Sequence, residues 1–146
     1  RLFSNRKHLK PTQVFIDRFL ITSESYHISS IIVFNKSDLY RKKEEDKFAV
    51  VKDIYEAIGY KVLSMSIEKG IGVESVKDLL KDKVTLLSGH SGVGKSTFIN
   101  AIFPAMKLKT QDVSGWSGKG LHTTTFAEMF DLPFGGKVID TPGIRD

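Results

Sequence analysis

The sequence predicts an α/β fold, in which a mainly parallel sheet is covered by helices on both faces. Short apolar runs such as IIVF (31–34) and KVTLLS (83–88) alternate with segments of helical periodicity. Such alternation is typical of parallel sheets, because the crossover between two parallel strands usually contains a helix. The turn signal PFGG (133–136) separates the last two predicted strands and favours an antiparallel hairpin at one edge of the sheet.

Helices are predicted where apolar residues recur every three or four positions. The first covers residues 11–26, with Thr12 as a candidate cap, and the second covers Glu44–Ile58, where Gly59 is a natural stop. Pro104 ends the last predicted helix, because proline lacks the N–H that a helix needs. The remaining predicted elements are helices at 72–81 and 95–103 and strands at 28–34, 60–66, 83–88, 124–132 and 137–141.

Two segments lack any such period. Residues 107–121 include the Gly- and Ser-rich stretch SGWSGKG and are interpreted as a long loop. The basic stretch at the start, residues 1–13, is interpreted as the remnant of a linker that precedes one domain, residues 14–146. The chain does not begin with Met, so it is interpreted as part of a longer protein.

The composition narrows the class of protein. Of the 146 residues, 40% are hydrophobic and 27% are charged, as in ordinary globular domains, and no apolar run approaches the ~18 residues of a membrane span. The absence of cysteine excludes disulfides and thiolate metal sites within these residues and is compatible with the cytoplasm. The net charge of +5 favours an anionic partner such as RNA, although many soluble proteins are mildly basic.

A phosphate-binding loop is predicted between a strand and a helix. The sequence GHSGVGKST fits the pattern G-x-x-x-x-G-K-[ST] without gaps. Glycines let the backbone curl so that its N–H groups face phosphate oxygens, and the helix N-terminus adds partial positive charge. Lys95 is expected to contact the β- and γ-phosphates and Ser96 to ligate Mg²⁺. The predicted nucleotide-binding residues of this loop are Gly89, His90, Ser91, Gly92, Val93, Gly94, Lys95, Ser96 and Thr97.

Guanine recognition is predicted from NKSD, residues 35–38, at the end of the strand IIVF. Guanine presents two adjacent donors, and the carboxylate of Asp38 can accept from both, whereas adenine offers an acceptor at the ring nitrogen. The stem of Lys36 can lie along the base, and the amide of Asn35 can tie this loop to the phosphate loop. Ligands of open α/β sheets bind at the carboxyl ends of strands, which is where this motif lies.

A magnesium site is predicted from VIDTPG, residues 138–143. Asp140 can hold a water of the Mg²⁺ shell, and the N–H of Gly143 can approach the γ-phosphate because no side chain intervenes. Upstream, the stretch HTTTF offers three hydroxyls, and one of Thr123 and Thr124 is expected to complete the Mg²⁺ shell. The spacing does not distinguish these two threonines.

Five segments together resemble a known family. FNKSDL, SMSIEKG, LSGHSGVGKST, HTTTFAEMF and VIDTPGIRD are similar to the GTPase domain of the RsgA/YjeQ family, circularly permuted GTPases of bacterial ribosome assembly, over about residues 14–146. In Ras-like GTPases the phosphate loop precedes the guanine motif. Circular permutation reverses this order and keeps the site, which is feasible where chain ends lie close together. The resemblance implies a P-loop NTPase fold, a circularly permuted Ras-like GTPase domain, that binds GTP, GDP and Mg²⁺.

The resemblance also implies partners and further domains. The family acts on the small ribosomal subunit and its rRNA, which implies a cytoplasmic, monomeric protein that needs no membrane. The family carries an N-terminal OB-fold and a C-terminal zinc domain; neither is recognisable here, and no zinc site is expected in this chain. The family's strand before the first helix is not recognisable either. By resemblance, backbone N–H groups of Ser66 and Ile67 contact the guanine oxygen, while Glu68 replaces the usual lysine.

Hydrolysis requires a group that orients the attacking water. Ras-like enzymes use a glutamine just after the Asp-x-x-Gly segment. Here that position is Ile144, which cannot hold a water, so His122 is the candidate for this role, beside Lys95 and Gly143 as further catalytic residues. Two other classes remain open: a P-loop ATPase or small-molecule kinase, which has no use for Asp38, and an RNA-binding module with a vestigial nucleotide site.

Overall fold

Six strands form one sheet in the computed structural model, which describes residues 2–4, 9–35, 42–89, 94–104 and 128–141. In space the strands follow the order β3-β2-β1-β4-β6-β5, and all neighbours are parallel except β5 and β6. The prediction of an α/β fold with an antiparallel edge hairpin is confirmed. The strands are β1 (Leu2–Ser4), β2 (Ile31–Phe34), β3 (Lys61–Ser64), β4 (Val84–Gly89), β5 (Glu128–Asp131) and β6 (Lys137–Asp140), and the helices are α1 (Leu9–Ser25), α2 (Lys42–Ala57), α3 (Val73–Leu80) and α4 (Lys95–Ile102).

Helices cover both faces of the sheet, and the alternation of side chains along β2 shows how. Ile32 and Phe34 point to one face, where they pack in a buried cluster with residues of α1 and α2. Val33 points to the other face and belongs to a second cluster with α3 and α4. A strand buried on both faces is apolar at every position, which explains the uninterrupted run IIVF. None of the helices within the described ranges is long and apolar enough to cross a lipid bilayer.

The first residues form a central strand, which corrects the interpretation of residues 1–13 as a linker. Leu2–Ser4 lies between β2 and β4, with Leu2 opposite Ile32 on one side and Ser88 on the other. Helix α1 then begins at Leu9. The strand that the sequence analysis could not recognise is therefore present. Three residues are too few to show a hydrophobic period, and the partners that make them a strand are distant along the chain.

The ends of the helices follow the predicted signals. Gly59 has φ 97° and lies two residues after Ala57, the last residue of α2. Its N–H donates to the carbonyl of Glu56 and that of Tyr60 donates to Tyr55, the two bonds of a Schellman cap. Helix α4 ends at Ile102, two residues before Pro104, as expected.

A buried phenol joins the two helices on one face. The Tyr55 hydroxyl donates to Oδ1 of Asp17 at 2.7 Å, and Tyr55 is only 3% exposed. Burial, and then the hydrogen bond to Asp17, raise the pKa of Tyr55 well above its ordinary value of 10.0. The folded state therefore holds this proton more tightly than the unfolded state. The resulting stabilisation is fully present below pH 10 and is lost as the pH rises beyond it.

We expect the melting temperature to fall steeply above about pH 10 and Tyr55→Phe to make that fall shallower. The substitution should also lower the free energy of unfolding by about 1 kcal/mol near pH 7, because the hydrogen bond is lost. Melting curves from pH 7 to 11 measure both effects. Tyr26→Phe, which alters an exposed phenol, is the control and should keep the wild-type slope. An unchanged slope in Tyr55→Phe would contradict this account.

Candidate nucleotide-binding site

Four parallel strands end at the same edge of the sheet, and the described site residues follow those ends. Asn35 comes directly after β2, Ser66 follows β3, Lys95 follows β4, and Asp140 closes β6. Polar residues placed in this way at the carboxyl ends of parallel strands mark the usual ligand site of an open α/β sheet. The structure therefore brings together residues from four predicted motifs.

The described part of the phosphate loop has the strand-to-helix context that the motif requires. Gly89 ends β4, and Gly94 caps α4 in the left-handed conformation, with φ 97°. Its carbonyl accepts the N–H of Phe98 at 2.9 Å, the first bond of the helix. Ser96 and Thr97 lie exposed in the first turn, where helix N–H groups and the dipole favour an anion. The helix is anchored by Phe98, Ile99 and Ile102, which are buried in the core.

Asn35, the first residue after β2, links the phosphate loop to the loop after β3. The loops after β2 and β3 are called the base loops. Its side chain is 4% exposed, and its Oδ1 accepts the N–H of Ile67 at 3.5 Å, the long end of hydrogen-bond distances. Its amide nitrogen lies so close to Gly94 that a Cβ at Gly94 would come within 2.3 Å of it. Only glycine fits at position 94, both for its backbone angle and for its distance from Asn35.

The loop after β3 is closed on itself. The backbones of Ser66 and Ile71 exchange two hydrogen bonds of 2.9 Å, and the Ser66 hydroxyl accepts the N–H of Lys69 at 3.2 Å. Gly72, with φ 72°, ends the loop where a Cβ would lie 2.7 Å from the carbonyl oxygen of Ser64. These contacts hold the loop beside Asn35.

Two backbone N–H groups that are predicted to contact the guanine oxygen have partners within the protein. The N–H of Ser66 donates to Ile71 and the N–H of Ile67 donates to Asn35, so both groups are engaged within the protein. Their contact with the guanine oxygen stays a prediction. The structure gives Ser66 the role of closing the loop, because its N–H, carbonyl and hydroxyl all bind residues of that loop.

Lys95 and Asp140 form an ion pair between the start of α4 and the end of β6. Lys95 Nζ lies 3.4 Å from Oδ1 of Asp140, and their side chains are 8% and 13% exposed. The ammonium also donates to the carbonyl oxygen of Thr141. The carbonyl oxygen of Thr141 and the carboxylate of Asp140 thus both lie beside the ammonium. The predicted phosphate-binding cation and the predicted magnesium-site acid are thus in direct contact.

Thr141 is a residue that sequence reasoning missed. Its hydroxyl donates to the carbonyl oxygen of Leu87 in β4 at 2.7 Å. The signal in the sequence is a threonine directly before Pro142, because proline has no N–H with which to continue the pairing of β6. A residue with a side-chain donor at this position can hold the end of β6 on β4.

Several predicted site residues lie outside the described residues, and their roles stay predictions. They belong to the guanine motif, the phosphate loop, the threonine segment and the end of the chain. These residues are Lys36, Asp38, His90, Ser91, Gly92, Val93, His122, Thr123, Thr124 and Gly143.

Together the sheet order, the strand–loop–helix around Lys95 and the converging motifs define a circularly permuted P-loop nucleotide-binding domain. The phosphate-loop strand β4 is fourth along the chain yet central in the sheet. Joining the end of β6 to the start of β1 and cutting before β4 would place the phosphate loop first and the guanine motif later. The predicted permutation is therefore confirmed by the topology.

Comparisons with known proteins identify the family. The model of the RsgA GTPase family matches residues 4–146. The small ribosomal subunit biogenesis GTPase RsgA of Flavobacterium psychrophilum is 53% identical over 134 residues, which are 92% of this chain and 41% of that protein. The protein of the same name from Cytophaga hutchinsonii is 51% identical over 140 residues, covering 96% of this chain and 46% of that protein. The chain belongs to the RsgA GTPase family.

Solved structures agree with this assignment. YjeQ from Thermotoga maritima superposes with a TM-score of 0.76 at 34% identity, covering 98% of this chain and 47% of that one. YloQ, described as a circularly permuted GTPase, gives a TM-score of 0.60 at 32% identity, covering 88% of this chain and 38% of that one. The predicted family is confirmed, and the match extends further towards the start of the chain than the predicted residues 14–146. The chain spans less than half the length of the relatives it matches.

Proposed function

We propose that this chain is the GTPase domain of a protein that hydrolyses GTP to GDP and phosphate during late assembly of the small ribosomal subunit. The observation that carries the proposal is the meeting of Asn35, Gly94, Lys95 and Asp140 at one edge of a sheet with the permuted strand order. The names of the relatives, small ribosomal subunit biogenesis GTPases, supply the biological setting. No contact in the described residues favours an ATPase, a kinase or a vestigial site.

The residues present fit a magnesium-bound guanine nucleotide. Gly94 begins α4, whose N-terminal N–H groups favour an anion, and Lys95 offers the ammonium that a phosphate chain needs. The Ser96 hydroxyl and the Asp140 carboxylate are the hard oxygen donors that Mg²⁺ prefers. The ion supplies charge neutralisation at the β- and γ-phosphates when bound. Thr123 or Thr124 completes its shell in this proposal.

The remaining roles follow from residue chemistry. Asp38 accepts both donors of the guanine edge, Lys36 lies along the base, and the rest of the phosphate loop surrounds the phosphates. Gly143 presents its N–H to the γ-phosphate. His122 orients the attacking water, because the glutamine position of Ras-like enzymes is held by Ile144. We further propose that the protein works in the cytoplasm as a monomer on the rRNA and proteins of the small subunit, without a membrane or a zinc ion in this domain.

Displacement of a fluorescent GDP analogue by GDP, ADP and xanthosine diphosphate tests the base site. The wild type should prefer GDP over ADP by a factor of about 10⁴ or more, because adenine leaves the carboxylate of Asp38 unpaired. Asp38→Asn should shift the preference towards xanthosine diphosphate, whose base has an acceptor where guanine has its exocyclic amine. Asp53→Asn, on the exposed side of α2, is the matched control and should behave as wild type. Equal competition by ADP would contradict guanine recognition.

A further inference from the structure

We propose that Thr141 is a positioning residue for Lys95. Its hydroxyl fixes the end of β6 on the phosphate-loop strand, and its own carbonyl then holds the ammonium of Lys95 in place for the phosphates. The proposal rests on the proposed function in assigning a nucleotide to Lys95, but the contacts that carry it belong to the protein alone. Thr141 itself does not touch the nucleotide in this scheme.

The first step is the bond between Thr141 and Leu87. Strands β4 and β6 pair in parallel up to Leu87, which lies opposite Asp140. Beyond Asp140 the ladder has one residue before Pro142, which has no N–H to offer. The Thr141 hydroxyl donates to the Leu87 carbonyl at 2.7 Å, in a part-buried position. The end of β6 is thereby held on β4, one residue past the last backbone pair.

The second step is the direction of the Thr141 carbonyl. With its side chain held by Leu87, Thr141 turns its carbonyl oxygen towards Lys95 and accepts a hydrogen bond from the ammonium. Asp140, one residue earlier, provides a counter-charge, with its Oδ1 at 3.4 Å from the ammonium. Asp140 at the end of β6 and Thr141 directly after it therefore both contact the ammonium. The hydrogen bond of the Thr141 hydroxyl to Leu87 fixes these two residues on the sheet.

The third step is the consequence for ligand binding. A lysine side chain has four rotatable bonds, and a free one loses much conformational entropy when a phosphate fixes it. Lys95 is only 7% exposed and is already held by a hydrogen bond to Thr141 and an ion pair with Asp140. Much of the ordering has therefore taken place before a ligand arrives. Release of the Thr141 carbonyl would return part of this cost to the binding step.

The test compares Thr141→Val with Thr141→Ser in the full 146-residue chain. Valine keeps the branched shape and removes the hydroxyl, while serine keeps the hydroxyl. Titration with GDP should show a loss of affinity of about three- to tenfold for Thr141→Val, the range expected for one hydrogen bond, and a value within about twofold of wild type for Thr141→Ser. Thr22→Val is the matched control, because it removes a similar hydroxyl-to-carbonyl bond, 2.9 Å to Arg18, on the exposed side of α1.

A second readout follows Lys95 directly and needs no nucleotide. Acetylation of the folded protein with a limiting amine reagent, followed by mass spectrometry, gives the relative reaction rate of each lysine. Thr141→Val should raise the rate at Lys95 several-fold relative to the exposed Lys52 and Lys137, and Thr141→Ser and Thr22→Val should leave it unchanged.

The two readouts separate the possible failures. If Thr141→Val leaves the Lys95 rate at the wild-type value, or if Thr141→Ser behaves like Thr141→Val, the positioning role is wrong. If the wild-type chain binds no GDP while the Lys95 rate rises as expected in Thr141→Val, the positioning role stands and the proposed function of the domain fails.

Discussion

Gly94→Ala is expected to weaken GDP binding about tenfold or more and to lower the free energy of unfolding by about 2–4 kcal/mol. A left-handed backbone costs a residue with a Cβ about 1–2 kcal/mol. In addition, the new Cβ would lie 2.3 Å from the amide nitrogen of Asn35. Asn35 is buried, and its Oδ1 accepts the N–H of Ile67. Asn35 must therefore move, and the link between the base loops and the phosphate loop breaks with it.

Gly59→Ala provides a close control for this prediction. Gly59 has the same φ of 97°, yet nothing lies within 4 Å of the Cβ that alanine would add. Gly59→Ala should lower the free energy of unfolding only by the cost of backbone strain, about 1–2 kcal/mol, and should keep wild-type affinity for GDP. Urea unfolding and GDP titration of both variants measure the difference. Equal loss of stability with wild-type affinity in both would show that the contact at Asn35 has no part in the site.

Asp140→Ala is expected to lower the free energy of unfolding by about 3 kcal/mol or more in the absence of nucleotide. The substitution leaves the ammonium of Lys95 buried without its counter-charge, and removal of one partner of a buried ion pair costs about 3–5 kcal/mol. Replacing both residues, as Lys95→Met with Asp140→Leu, should recover most of this loss, because no buried charge is then left unpaired.

The exposed ion pair between Lys137 and Asp131 is the control for the buried pair between Lys95 and Asp140. Its charges are closer, at 3.1 Å, but the side chains are 50% and 82% exposed. Solvent screening reduces such pairs to about 0–1 kcal/mol, so Asp131→Ala should be nearly neutral. Urea unfolding of the two single variants decides between distance and burial as the controlling quantity. Equal losses in Asp140→Ala and Asp131→Ala would contradict a buried pair at Lys95.

The parts of the fold that the sequence predicted are those whose cause is local. The run IIVF reads as a buried strand because both of its faces are covered, and Gly59 ends α2 because a cap needs a left-handed residue there. The phosphate loop is recognisable because its glycines, lysine and hydroxyl occur at fixed spacing. These features depend on neighbouring residues, which periodicity and motifs record.

The parts that sequence reasoning missed depend on residues far apart in the chain. Leu2–Ser4 is a strand only because β2 and β4 flank it, and nothing in three residues shows that. Thr141 matters through the carbonyl of Leu87, more than fifty positions earlier. The N–H of Ile67 donates to Oδ1 of Asn35, 32 positions earlier, a contact that the motifs do not predict. Spacing alone cannot reveal such partners.

The central position of β1 also determines the order in which the strands can pair during synthesis. Leu2 is made before the other strands of this sheet, yet one of its two partners, Ser88, is made 86 residues later. At about 5–20 residues per second, the first strand waits roughly 4–17 s before both of its edges can be paired. Until then only β1, β2 and β3 can pair with one another. Strands β4, β6 and β5 are added on the other side of β1 after they have been made. A permuted order of the same six strands thus leaves the central strand β1 with one open edge until β4 has been made.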